Sequence, residues 1–260
     1  MLPTRACLTI LILGLVGAST ALAAYPPTVL ITGASRGIGL ELARQYAERG
    51  WQVIATARAP GEAKALQDIA REHANVTTEA LDVTNPAQID ALAAKYKGKP
   101  IDVLLNNAGI SGGEEAGTFG HLNYDVYRKV HDVNVVGPLK MAEAFLPNVA
   151  ASQLKKIINI TSTEGSIGLQ KTRGGGYFYR SSKAALNMVM RSLSIDLKPQ
   201  GITVGLVSPG FVKDDFTKGI DLPIMITPQQ SATAVIKVID GYDLAKTGTF
   251  MRHTGEEAPW

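Results

Sequence analysis

The sequence predicts an α/β fold: a single doubly wound parallel sheet of about seven strands, with helices on both faces, over residues 28–260. Three observations predict it. Short apolar runs alternate with longer amphipathic ones, the pattern of repeated βαβ units. The first apolar run passes directly into a glycine-rich turn and a helix, in "TVLITGASRGIGLELARQYAERG". At 260 residues and 27.6 kDa the chain suits one α/β domain, and no Pro/Ser-rich linker or solenoid-period repeat divides it.

The elements follow in order. Strands are expected at "TVLIT" (28–32), "QVIATA" (52–57), "VTTEALD" (76–82), "DVLLNN" (102–107), "KIINITS" (156–162), "TVGLVSP" (203–209) and "GTFMR" (248–252). Each is short and rich in β-branched or aliphatic residues, as strands buried on both faces are. Helices are expected near 38–49, 62–73, 86–96, 124–148, 178–197 and 228–240, where apolar positions recur at helical spacing.

Composition excludes several classes. With 45% hydrophobic and 19% charged residues and 26 glycines, the chain is neither disordered nor a disulfide scaffold. A net charge of +3, with basic residues scattered, offers no stripe for nucleic acid and no polybasic membrane patch. No cluster with metal-ligand spacing is visible, so no metal is expected. The segment before the fold, "MLPTRACLTILILGLVGASTALAAYPP", has an early Arg5, an apolar run over 8–16 and a small-residue end at "ALA" (21–23). This is the pattern of a secretory signal peptide, residues 1–23, so export to a periplasmic or extracellular space is expected. The alternative is an uncleaved membrane anchor over 6–24, weakened by Gly14, Gly17, Ser19 and Thr20. The only cysteine, Cys7, lies in this segment, leaving residues 28–260 without thiol chemistry or a disulfide.

The first strand and its turn, with Gly33, Gly37 and Gly39, make the sheet Rossmann-type. Glycines there let the backbone approach a pyrophosphate, and the helix N-terminus supplies free N–H groups and partial positive charge. The spacing is G-x-x-x-G-x-G rather than G-x-G-x-x-G. The second strand ends at Ala57, followed by Arg58, where an acidic residue would be needed to bind the ribose 2′-hydroxyl of NAD. Arg36 and Arg58 are positioned to pair with a 2′-phosphate, so NADP(H) is the expected cofactor; the plainer reading is two solvated surface arginines. Asp82, closing the third strand, either accepts a hydrogen bond from the adenine amino group or caps the helix that begins after Pro86.

In "RGGGYFYRSSKAAL" (173–186), Lys183 follows Tyr179 by four residues and so shares its helix face, whereas Tyr177 points elsewhere. Taken alone, this is also how an ordinary helix with an exposed Tyr and Lys would begin. The two residues have company: "NNAG" (106–109), "VNVVGP" with Asn134, "INITSTEG" with Ser162, and "SPGFV" (208–212), in that order and at the ends of strands or in a long helix. With these motifs residues 28–260 resemble the short-chain dehydrogenase/reductase family, and "DVLLNNAGI", "YRSSKAALNMVMRSLSIDL" and "GEEAPW" are most similar to carbonyl reductases of the sniffer and C-factor type.

The resemblance implies Asn134, Ser162, Tyr179 and Lys183 as a catalytic tetrad. It implies cofactor contacts or scaffold roles at Gly33, Ser35, Arg36, Gly37, Ile38, Gly39, Arg58, Asp82, Val83, Asn106, Ala108, Gly109, Pro209, Gly210 and Val212, besides Tyr179 and Lys183. It further implies strand order 3-2-1-4-5-6-7, a carbonyl or alcohol substrate, and a homodimer or homotetramer built on two long helices. The expected chemistry is a Lys183 ammonium that lowers the Tyr179 pKa from about 10, Ser162 holding the substrate oxygen, and Asn134 anchoring a proton-relaying water. His121 and His131 need no catalytic role. Two departures stand out: the "QKTRGGG" insertion between Ser162 and Tyr179, and Asp214 where the family commonly has threonine. A carboxylate about 6 Å from a phosphate costs roughly 3 kcal/mol at an effective dielectric of 20. Asp214 is therefore expected to turn outward to solvent. The alternative to an enzyme is an NADP-binding signalling or sensor protein with little turnover.

Overall fold

The computed structural model describes residues 25–113, 117–172 and 174–260. The expected signal segment 1–23 lies outside the described residues, and among these no helix is long and apolar enough to cross a membrane. The strands are β1 (Thr28–Ile31), β2 (Gln52–Ala57), β3 (Val76–Ala80), β4 (Val103–Asn106), β5 (Lys156–Ile160), β6 (Thr203–Ser208) and β7 (Phe250–Arg252). The helices are α1 (Gly37–Glu48), α2 (Lys64–Glu72), α3 (Pro86–Lys95), α4 (Tyr124–His131), α5 (Gly137–Ala150), α6 (Tyr177–Leu197) and α7 (Pro228–Asp240). The seven strands form one sheet in the order β3-β2-β1-β4-β5-β6-β7, every pair parallel.

Strand periodicity builds the two layers. Val29 and Ile31 face a core shared with Leu42, Ala43, Ile69 and Val235, from α1, α2 and α7. Leu30, between them, faces the opposite core with Ile89, Phe145 and Leu186, from α3, α5 and α6. Each such side chain stabilises the fold by about 1.5–3 kcal/mol when fully buried.

The long helix expected over 124–148 is interrupted. Residues Asp132–Val136 form a π turn between α4 and α5, and Asn134 sits buried inside it. A π turn squeezes an extra residue into the helix and re-aims the side chains it carries. The strand order reverses between β1 and β4, and the crevice at their C-terminal ends is where ligands bind in open α/β sheets.

Candidate active site

A cavity of about 530 Å³ opens at that crevice, lined by residues from the C-terminal ends of β1 to β6. Its floor is the turn after β1. Thr32 Oγ1 accepts hydrogen bonds from the backbone N–H groups of Asn107 (3.0 Å) and Ala108 (3.1 Å), and Asn107 Nδ2 donates back to the carbonyls of Thr32 (2.9 Å) and Gly33 (3.1 Å). A Cβ on Gly39 would stand 2.3 Å from the Gly33 carbonyl oxygen, so only glycine permits this packing. Helix α1 then starts with Arg36 as N-cap, no side-chain cap hydrogen bond and no acid in its first turn, which keeps its terminal N–H groups free for an anion.

The chemical end rests on α6. Tyr179 and Lys183 both line the cavity, with the Lys183 ammonium 5.7 Å from the centre of the Tyr179 ring. Lys183 is buried and its Nζ donates to the Ile160 carbonyl at 2.8 Å, which anchors it to the end of β5. Burial lowers the Lys183 pKa to about 8. Ser162 follows β5 and N-caps a short 3₁₀ turn, its Oγ accepting from the Glu164 N–H at 3.1 Å. Its hydroxyl faces Tyr179, and a hydrogen bond from Ser162 favours the ionised form of that phenol and so acts to lower its pKa. Burial nonetheless pushes Tyr179 up to about 12, with Glu164 and Asp214 adding to the rise. The lowering of Tyr179 expected from Lys183 does not show here, where desolvation dominates. Tyr177 stands away from the cavity, 42% exposed and packed on Phe119 at 6.0 Å between ring centres.

The sequence profile of the family described as short chain dehydrogenase matches residues 27–223. The chain belongs to the short-chain dehydrogenase family. It is 38% identical over 239 residues to the 1-hydroxy-2-glutathionyl-2-methyl-3-butene dehydrogenase of Rhodococcus sp. (strain AD45), covering 90% of this chain and 99% of the relative. Among solved structures, the NADPH-bound carbonyl reductase from chicken fatty liver superposes with a TM-score of 0.84 at 33% identity, over 91% of this chain and all of that one. The carbonyl reductase Sniffer of D. melanogaster gives 0.83 at 31% identity over the same shares.

In this short-chain dehydrogenase the cavity brings together Gly33, Ser35, Arg36, Gly37, Ile38, Gly39, Arg58, Asp82, Val83, Ala108, Gly109, Ser162, Tyr179, Lys183, Pro209, Gly210 and Val212. Two expected site residues stand behind its wall. Asn134 gives its amide to its neighbours: Oδ1 accepts from the Ile110 N–H, and Nδ2 donates to the Ile110 carbonyl and to Ser182 Oγ, each at 2.9 Å. Asn106, expected as a cofactor contact or a scaffold position, stands as a strut. Its Nδ2 donates to Asn159 Oδ1 (3.0 Å) and the Pro138 carbonyl (3.3 Å), because strand alternation turns it to the α5 side of the sheet with Leu104. The neighbouring Asn107 lines the cavity instead.

Asp82 does not cap α3; Asn85 does, accepting from the Gln88 N–H at 3.2 Å. Asp82 Oδ1 accepts from Thr84 N–H (2.9 Å) and Thr84 Oγ1 (2.7 Å). Burial opposes its ionisation, but these bonds and the charges of Arg58 and Lys129 outweigh burial, so its pKa is lowered. Lys129, in the last turn of α4, lines the same cavity and was not legible from the sequence.

The expected outward Asp214 is also corrected. Its side chain is half-buried in the cavity wall and faces Gly37. Local capping sets this: Oδ1 accepts from the Phe216 N–H at 2.9 Å, and Thr217 Oγ1 accepts from the Asp214 N–H at 3.2 Å. Burial raises the Asp214 pKa, Asp215 adds to the rise, and the hydrogen bonds from Phe216 and Thr217 and the charge of Arg36 act against it.

Proposed function

We propose that this protein is an NADP(H)-dependent oxidoreductase that interconverts a carbonyl compound and a secondary alcohol, with Tyr179 as general acid/base. The observation that carries the reading is that Tyr179, Lys183 and Ser162 share one cavity with the glycine turn. Support for the dinucleotide comes from the uncapped start of α1 and the close backbone approach at Gly33 and Gly39. Support for the 2′-phosphate comes from Arg36 and Arg58 on the wall and from Ala57 where an NAD-type acid would stand. The chicken fatty liver carbonyl reductase, which is NADPH-bound, points the same way.

NADPH, when bound, supplies the hydride. The chain's own residues do the rest. Ser162 donates a hydrogen bond to the carbonyl oxygen and keeps its proton, and Tyr179, protonated at neutral pH, transfers its phenolic proton to that same oxygen as negative charge develops there. In the oxidising direction the proton returns to Tyr179. Lys183 brings a positive charge beside the developing phenolate, held in place by the Ile160 carbonyl. Asn134 fixes the loop after β4 to α6 through Ile110 and Ser182, which holds the part of the cavity wall at Ile110.

We further propose export through the N-terminal segment, and a homodimer or homotetramer that covers exposed Leu139 on α5 and Met188 and Ile195 on α6. A second reading, a cofactor-binding sensor with little turnover, draws on Asp214 facing the cofactor turn. Assaying the purified protein with NADPH against a panel of ketones and aldehydes separates them. Saturable oxidation of NADPH supports the enzyme; tight binding with no turnover on any carbonyl favours the sensor; absence of NADPH binding overturns both.

A further inference from the structure

The loop between β6 and α7 lays two carboxylates on the cofactor end of the cavity. Asp214 Oδ2 lies 3.0 Å from the position a Cβ would take on Gly37, the first residue of α1. Asp215 Oδ2 accepts from Arg36 at 3.2 Å. The loop's base is pinned to the start of α7: Val212 bridges Ile226, with the Ile226 N–H donating to the Phe211 carbonyl and the Lys213 N–H to the Ile226 carbonyl, both at 2.9 Å. Lys213, the nearest cation in sequence, is paired with Asp221 at 2.8 Å and does not neutralise Asp214.

Resting on the NADP(H) reading above, we infer that Asp214 and Asp215 stand in for the cofactor's phosphates and set its affinity and its NADPH-over-NADH ratio. A carboxylate beside an uncapped helix start stands in the partial positive charge that draws a pyrophosphate. Asp214 therefore occupies ground that any dinucleotide needs. Asp215 holds a guanidinium that only a 2′-phosphate needs. Cofactor binding must displace both carboxylates, and the two acids carry distinguishable signatures because NADH lacks the 2′-phosphate.

The magnitudes differ with exposure. Asp215 and Arg36 are 68% and 74% exposed, so their pair is screened and its release is worth about threefold in affinity. Asp214, half-buried, repels a phosphate through less water, and removal of its charge is worth about tenfold.

Calorimetric titration with NADPH and NADH of the wild type, Asp214→Asn and Asp215→Asn tests this. Asn at 214 retains the acceptor for the Phe216 N–H, and Asp214→Ser, also a capping residue, serves if the first variant does not fold. The expected result is tighter binding of both nucleotides by Asp214→Asn, and tighter binding of NADPH alone by Asp215→Asn. Variants that bind NADPH but no tighter than wild type overturn the inference while leaving the cofactor reading standing, as does weaker NADPH binding by Asp215→Asn, which would make the Arg36 pair an aid to binding. Binding of neither nucleotide by any of the proteins overturns the cofactor reading and the inference with it.

Discussion

A Cβ placed on Gly165 would stand 2.7 Å from the carbonyl carbon of Lys183 and 2.8 Å from the Ala184 nitrogen. The turn that carries Ser162 thus lies directly on the backbone of the helix that carries Tyr179 and Lys183. No side chain fits between. Gly165→Ala should push the two apart, costing about 1–3 kcal/mol of stability through overpacking. It should also lower kcat more than it raises the KM for NADPH, since the cofactor turn is untouched. A variant as stable and active as wild type would show that the close packing does not set the Ser162 to Tyr179 geometry.

Tyr179→Phe should abolish turnover while NADPH binding persists, because it removes the proton donor and leaves the cofactor turn intact. Tyr177→Phe should change kcat little, since Tyr177 faces Phe119 and solvent. Steady-state kinetics on the two variants decide between the tyrosines, and a dead Tyr177→Phe would reverse the assignment.

Replacing both Arg36 and Arg58 with alanine should raise the KM for NADPH far more than that for NADH. Each charge-assisted bond to a 2′-phosphate is worth on the order of 1.5–3 kcal/mol, and NADH has none to lose. Equal losses for the two nucleotides would move the 2′-phosphate site elsewhere.

Lys183 makes stability depend on pH. Its pKa falls from the ordinary 10.5 to about 8 on folding, so the unfolded chain binds more protons between those values. The penalty of burying the ammonium is therefore present in full below pH 8 and fades as pH rises to about 10.5. Chemical denaturation across this range, comparing wild type with Lys183→Met, should give a difference in stability that shifts in favour of the wild type as pH rises. A difference that is flat with pH would mean that Lys183 keeps an ordinary pKa in the folded protein.

The export proposal makes its own prediction: protein isolated from its native host should begin near Ala24. N-terminal sequencing checks it, and a chain beginning at Met1 in a membrane fraction would support the anchor instead.

The sequence by itself determined the order of strands and helices, the glycine turn after β1, and the Tyr179 to Lys183 register. All of these are written in local spacing: period two in β1 and β4, four residues along α6, three glycines across the junction of β1 and α1. The face that Asn106 presents is legible too, from its alternation with Leu104 along β4. Tertiary structure decided the rest. Arg36 meets Asp215 across 179 positions of sequence, and Asp214 reaches Gly37 over a similar separation, so no local pattern announces either. The electrostatic cost of a carboxylate near a phosphate argued for an outward Asp214, but the donors of its own 3₁₀ turn were closer and held it inward. The pKa values of Tyr179 and Lys183 likewise follow from burial, which packing from several distant elements creates and which neighbouring residues in the sequence do not reveal.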